Sequence, residues 1–170
     1  MSASLRLLPA QPLTAEAFAP YGQVIECAGH ASYAVNEGSS QRFSDLAQLA
    51  ADADGRLALS IFRARRRNAP YRLNCLERHP LGSQAFVPLD RQAFLIVVAD
   101  EAPRAGRPAP ESLRVFLAEG GQGINFNRDT WHHPLLALAD GDFLVADRLG
   151  PGDNCEPVDI TGWQLGIEQP

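Results

Sequence analysis

Apolar residues in this chain come in short runs that alternate with polar ones. Glycine, proline and aspartate cut them apart, and that rhythm predicts strands rather than long helices. Residues 57–62 form a short apolar run with β-branched content. Residues 71–79 alternate, with Tyr71, Leu73, Cys75, Glu77 and His79 on one face and Arg72, Asn74, Leu76 and Arg78 on the other. Further strands are expected over 84–89, 92–99, 113–118, 123–127, 131–138 and 142–148. Asp90-Arg91 and Gly120-Gly121 read as tight turns, and Asp140-Gly141 as a hairpin. Two short helices precede most of the strands. Thr14 caps one over residues 15–18, stopped by Pro20, and Ser44 caps another over 45–50, ended by Gly55. Residues 99–110 read as a surface loop, and residues 150–170, poor in apolar side chains, are expected to lie across the surface. The pattern predicts one domain over residues 1–170, mainly β, built as a sandwich or barrel with a few short helices.

Composition narrows the chemistry. All 15 basic residues are arginine, so Schiff-base and phosphate-loop chemistry that needs lysine is excluded. With a net charge of −5, the chain is a poor candidate for binding nucleic acid or an anionic membrane surface. The cluster Arg63, Arg65, Arg66 and Arg67 has no interleaved aromatics and reads as a solvated loop. Cys27, Cys75 and Cys155 form no CxxC pair and suit a reducing, cytoplasmic setting. No secretory signal is visible, and the apolar run over 93–99 is far short of the ~20 residues of a membrane span.

Two segments hold three of the four histidines. In the first, residues 76–86, Glu77 and His79 sit one residue apart on what the alternation marks as the inner face. Two ionisable groups there are costly unless they are paired, metal-bound or opened to solvent at a mouth. The alternative is that both lie past the strand's end and are solvated. In the second, residues 125–134, His132 and His133 are adjacent, so on a regular strand only one faces inward. The other holds backbone or an interface, and the whole Trp-His-His run could also be structural packing.

Together the segments resemble the cupin motifs. Glu77, His79 and Gln84 occupy the spacings of the first motif (His, one residue, His, four residues, Glu), and His132 stands for the second. Two of the four ligand types differ, yet a Glu/His/Gln/His set can hold a divalent cation. A closer resemblance runs through LERHPLGSQAFVPL (76–89), GINFNRDTWHHPLLAL (123–138), PLTAEAFAPYGQVIE (12–26), VNEGSSQRFSDLAQL (35–49) and DFLVADRLGPGDNCE (142–156), all in order. These strings resemble the ureidoglycolate lyase family, formerly named ureidoglycolate hydrolase.

That resemblance implies a cupin-like antiparallel β-barrel (jelly roll), cytoplasmic and homodimeric, in allantoin (purine) breakdown. The implied reaction is a carbon–nitrogen lyase splitting (S)-ureidoglycolate into glyoxylate and urea. No nucleophile is needed, only a base and an acid, for which His79, His132 and Glu77 are the candidates. A divalent metal, nickel by family resemblance, would be held by Glu77, His79, Gln84 and His132; no organic cofactor is expected. Gln84 and Asn125 suit the urea end. Arg42 and Arg148 suit the carboxylate, though Arg42 could pair with Asp45, and Arg148 with Asp147 or a terminal carbonyl. The competing readings are a cupin-type small-carboxylate binding or sensing protein without this activity, and a cupin isomerase or oxygenase on another small acid or sugar.

Overall fold

Strands dominate the computed structural model, which describes residues 4–100 and 106–170. In chain order they are β1 (Arg6–Leu8), β2 (Gln11–Pro12), β3 (Gly22–Ile25), β4 (Tyr33–Val35), β5 (Ser40–Arg42), β6 (Arg56–Ala64), β7 (Tyr71–Leu73), β8 (Cys75–Arg78), β9 (Gln84–Pro88), β10 (Phe94–Ala99), β11 (Leu113–Ala118), β12 (Gly123–Phe126), β13 (Trp131–His132), β14 (Leu136–Ala137), β15 (Gly141–Leu149), β16 (Glu156–Asp159) and β17 (Leu165–Ile167). The helix α1 (Ala15–Phe18) starts where expected, with the Thr14 hydroxyl accepting from the Ala17 N–H.

A seven-stranded sheet runs β16-β8-β13-β10-β11-β2, with β14 also on β10, and faces a five-stranded sheet of order β3-β12-β9-β15-β6. The result is a mainly β, jelly-roll-like sandwich whose two large sheets are not hydrogen-bonded into a closed barrel among the described residues. Between them lies an aromatic core of Phe18, Phe86, Phe94, Phe116, Phe126 and Phe143. A three-stranded sheet, β1-β17-β7, covers the other side of the seven-stranded one. It buries a second core with Leu73, Leu76, Leu95, Val97, Leu165 and Ile167. Strand β10 is therefore buried on both faces, which explains its unbroken apolar run.

Four expectations change. The segment after Ser44 is no helix: Asp45 sits at φ +58, and the backbone is clamped along the outer face of the five-stranded sheet. Gln48 N–H donates to Gln23, the Gln48 carbonyl accepts from Asn125, and Ala50 exchanges bonds with Ser83. These partners take the groups that an i→i−4 ladder would use, so tertiary bonding overrides helix propensity. The 71–79 strand breaks at Asn74, whose carbonyl accepts from Ile160 N–H, and its halves join different sheets. Asp140-Gly141 joins β14 to β15 across the two large sheets and so is not a hairpin, whereas Asp90-Arg91 and Gly120-Gly121 fall at turns as read, each also crossing between those sheets. The tail is not a surface strap, since β17 with Leu165 and Ile167 is core. The predicted 99–110 loop falls partly outside the described residues.

Candidate active site

Parity along two paired strands builds the site. His132 of β13 lies opposite Glu77 of β8 on one side and Val98 of β10 on the other. Val98 faces the aromatic core, so Glu77 and His132 face it too, while Leu76 turns to the second core. His79 follows on Glu77's face. The break at Asn74 means that Tyr71 and Leu73 do not share that face as expected; they pack with Leu76.

The imidazoles of His79 and His132 have centroids 5.1 Å apart. Glu77 Oε1 stands 3.9 Å from His79 Nε2 and 3.7 Å from His132 Nε2. One ligand atom from each of the three residues falls within 4.8 Å of the others. Each ring is pinned through its far nitrogen: His79 Nδ1–H donates to the Asn154 carbonyl at 2.6 Å and His132 Nδ1–H to the Thr130 carbonyl at 2.8 Å. A carbonyl only accepts, so Nδ1 carries a proton in each ring and Nε2 is the atom left facing the site. Both Nε2 atoms are buried without a hydrogen-bond partner. Backbone-fixed imidazoles offering a free Nε2 are the arrangement that metal-ligating histidines use. Phe126 stacks on His132 at 4.1 Å and 15°, which fixes the ring plane. Burial, aided by neighbouring His79 and His133, pushes the His132 pKa down to about 3, so this ring stays neutral at ordinary pH.

Gln84 on β9 lies opposite Phe126 and Asp147, on the inner face. Its Nε2 donates to Asp147 Oδ2 at 3.4 Å, and its Oε1 is buried without a partner. Asp147 was not among the expected residues, although Phe143 and Val145, both in the core, set its parity. Cys155 was missed as well; its thiol donates to Glu77 Oε2 at 3.6 Å, and burial, with the Glu77 carboxylate beside it, pushes its pKa up.

Three expected residues do not join this group. Asn125 points to the outer face, because its neighbours Ile124 and Phe126 are core; its amide donates to Gln23 at 2.8 Å and to the Gln48 carbonyl at 3.2 Å. Arg148, next to the inward Asp147, also faces out, where it forms a bidentate pair with Asp52 at 2.8 and 3.2 Å. Its partner is neither Asp147 nor a terminal carbonyl, and it holds the Asp52 carboxyl below the usual carboxylate range. Arg42 is exposed on the β4–β5 ribbon, with its guanidinium 6.0 Å over the Tyr33 ring and no ion pair to Asp45. Arg78 points away as expected, pairing with Glu156 and lying 4.9 Å over Trp131. His133 does not face out. Three residues on the β13–β14 side (133–135) span two on β10 (96–97), a bulge that re-aims the ring onto an apolar cavity with Phe86, Ile96 and Phe126.

A family model described as Ureidoglycolate lyase matches residues 5–165. Among curated proteins, a ureidoglycolate lyase of Azotobacter vinelandii is 51% identical over 154 residues, covering 89% of this chain and 91% of that one. One from Brucella anthropi is 50% identical over 160 residues, covering 93% and 92%, and one from Brucella abortus is 46% identical over 166 residues, covering 96% of each.

Proposed function

This chain belongs to the ureidoglycolate lyase family, and on that premise we propose that it cleaves (S)-ureidoglycolate to glyoxylate and urea at the Glu77–His79–His132 cluster. The observation that carries the reading is the pair of buried, unpartnered Nε2 atoms converging beside one carboxylate. The substrate carbon bears a hydroxyl, a carboxylate and a urea nitrogen. The hydroxyl proton leaves as the C–N bond breaks, the carbonyl of glyoxylate forms, and the urea nitrogen takes up a proton. The site needs a proton acceptor, a proton donor and fixed orientation, and no nucleophile. His132, held neutral far below its ordinary pKa, is a weak base and serves best as a fixed acceptor or ligand. His79, less buried and pinned at Nδ1, is the better proton acceptor, with Glu77 between the two rings passing the proton on. Gln84 Oε1 supplies an acceptor for the urea N–H groups, because the Gln84 amide nitrogen is turned to donate to the Asp147 carboxylate.

A divalent transition metal fits these donors: two imidazole nitrogens and the Glu77 carboxylate. Nickel is the ion we assign. Such an ion supplies Lewis acidity that eases loss of the hydroxyl proton. Charge favours it too. Glu77 and Asp147 are acidic, and neither makes an ion pair with an arginine among the described residues. An anionic substrate therefore needs positive charge from elsewhere.

We place the enzyme in the cytoplasm as a homodimer acting on a small molecule alone; its cysteines are unpaired, and no helix among the described residues is long and apolar enough to cross a membrane. The test is to incubate purified protein with racemic ureidoglycolate. Glyoxylate and urea should appear in equal amounts, with half the substrate left. Release of ammonia in place of urea, or no turnover with nickel added, overturns the proposal.

A further inference from the structure

The short segment that leads into β16 grips the strand carrying Glu77 and His79 at several points. Asp153 Oδ1 accepts from the Cys155 N–H at 3.1 Å, which sets the turn. The Asn154 carbonyl accepts from His79 Nδ1–H at 2.6 Å, and its side-chain Oδ1 accepts from the Leu81 N–H at 2.7 Å. Glu156, opposite Arg78 in the ladder, accepts from that guanidinium at 2.7 Å. Arg78 points away from the site, so Glu156 does too, and alternation turns Cys155 to the face of Glu77. There its thiol meets Glu77 Oε2 at 3.6 Å.

That contact gives the two carboxylate oxygens different surroundings. Oε1 stands 3.9 Å from His79 Nε2 and 3.7 Å from His132 Nε2, while Oε2 has the thiol. His132 is only 1% exposed and its Nε2 has no hydrogen-bond partner, so the orientation of Glu77 decides what that atom faces. The last torsion of a glutamate is broad and roughly two-fold, and does not select this orientation by itself. No arginine pairs with Glu77 among the described residues. An arginine would fix the carboxylate as well, but its positive charge would compete with a proton or a metal ion for it. A thiol is a neutral, weak donor, and orients the carboxylate without cancelling its charge.

We propose that Cys155 is a positioning residue for the lyase reaction: its thiol anchors Glu77 Oε2 so that Oε1 is presented to the Nε2 atoms of both His79 and His132. This rests on the lyase reading above. Cys155 acts through Glu77 rather than on the substrate. With Asn154 on His79 and Cys155 on Glu77, two adjacent residues of one segment set two of the three members of the cluster. Losing a group that orients a ligand or catalytic side chain in this way typically costs about 10- to 100-fold in activity.

The test compares Cys155→Ala with Cys155→Ser in the full chain. Cys155 is exposed and its neighbours hold the segment by their own bonds, so both variants should fold with an unchanged Tm. Cys155→Ala should lower kcat about 10- to 100-fold and change KM by less than about twofold. Cys155→Ser, whose hydroxyl still donates, should recover most of that rate. A full rate in Cys155→Ala, or an equal loss in both variants, overturns the proposal. In a Glu77→Ala background, adding Cys155→Ala should cost nothing more, because the carboxylate it serves is gone; an additive loss overturns the proposal too. Crystal structures of the two variants read the geometry without turnover. Glu77 Oε1 should leave both imidazoles in Cys155→Ala and keep them in Cys155→Ser, and an unmoved carboxylate in Cys155→Ala overturns the assignment. If the wild-type protein does not cleave ureidoglycolate, yet the carboxylate swings in Cys155→Ala and holds in Cys155→Ser, the lyase reading fails and the role of Cys155 in orienting Glu77 stands.

Discussion

Acid should weaken this fold before its carboxylates titrate, and His132 sets the size of the effect. Burial moves its pKa from an ordinary 6.5 down to about 3. Below about pH 6.5 the unfolded chain takes up a proton that the folded chain refuses. Stability is therefore complete above that point and falls as the pH drops, until the folded ring itself titrates near 3. One such proton changes stability by about 1.4 kcal/mol per pH unit, so the loss between pH 7 and pH 5 comes to about 2 kcal/mol. His133, also lowered by burial, adds in the same direction. The assay is urea denaturation of chelator-treated protein at pH 7, 6 and 5, with His132→Gln as the control, since an amide fills similar space without titrating. The wild-type protein should lose about 2 kcal/mol more than the control over that range. Parallel losses in the two proteins would refute the reasoning, because they would show that the His132 ring is not held neutral by burial.

His79→Ala and His132→Ala should each lower kcat by about a hundredfold or more, measured as glyoxylate release. Asn125→Ala should leave kcat unchanged and cost about 1–2 kcal/mol of stability, because its amide ties the 43–52 segment to the outer sheet face rather than touching substrate; a loss of rate at unchanged melting temperature would reverse that assignment. Gly82→Ala places a Cβ 2.5 Å from Arg148 Cβ and 2.9 Å from the Ala50 carbonyl oxygen, so it should destabilise by about 1–3 kcal/mol, read as a fall in Tm. Thr14→Ala removes the α1 cap and should cost about 1 kcal/mol in the same assay.

Which parts of this molecule were legible in the sequence follows from where its strands are regular. In an uninterrupted strand, one core aromatic fixes the face of every neighbour. Ile124 and Phe126 face the core of β12, so Asn125 must face out; Phe143 and Val145 do the same for β15, so Asp147 faces in and Arg148 out. The sequence therefore held enough to assign all three. The chemistry of Asn125 and Arg148 suits a urea and a carboxylate, yet parity turns both side chains away from the cluster. Irregularities are another matter. The break at Asn74 and the bulge at 133–135 exist because distant backbone, Ile160 in one case and β10 in the other, sets the register. No local pattern announces either one. The Asn74 break left the placement of Glu77 and His79 correct for the wrong reason, and the bulge turned His133 inward. Spacing to Gln84 survived both, because Glu77, His79 and Gln84 lie between the two irregularities. The contacts supplied by Asn154 and Cys155 were out of reach for a different cause: one acts through its carbonyl and the other through a single thiol contact, and neither leaves a mark on residue type. Parity should therefore be counted outward from the nearest buried aromatic, and trusted only as far as the next residue whose backbone bonds leave the ladder.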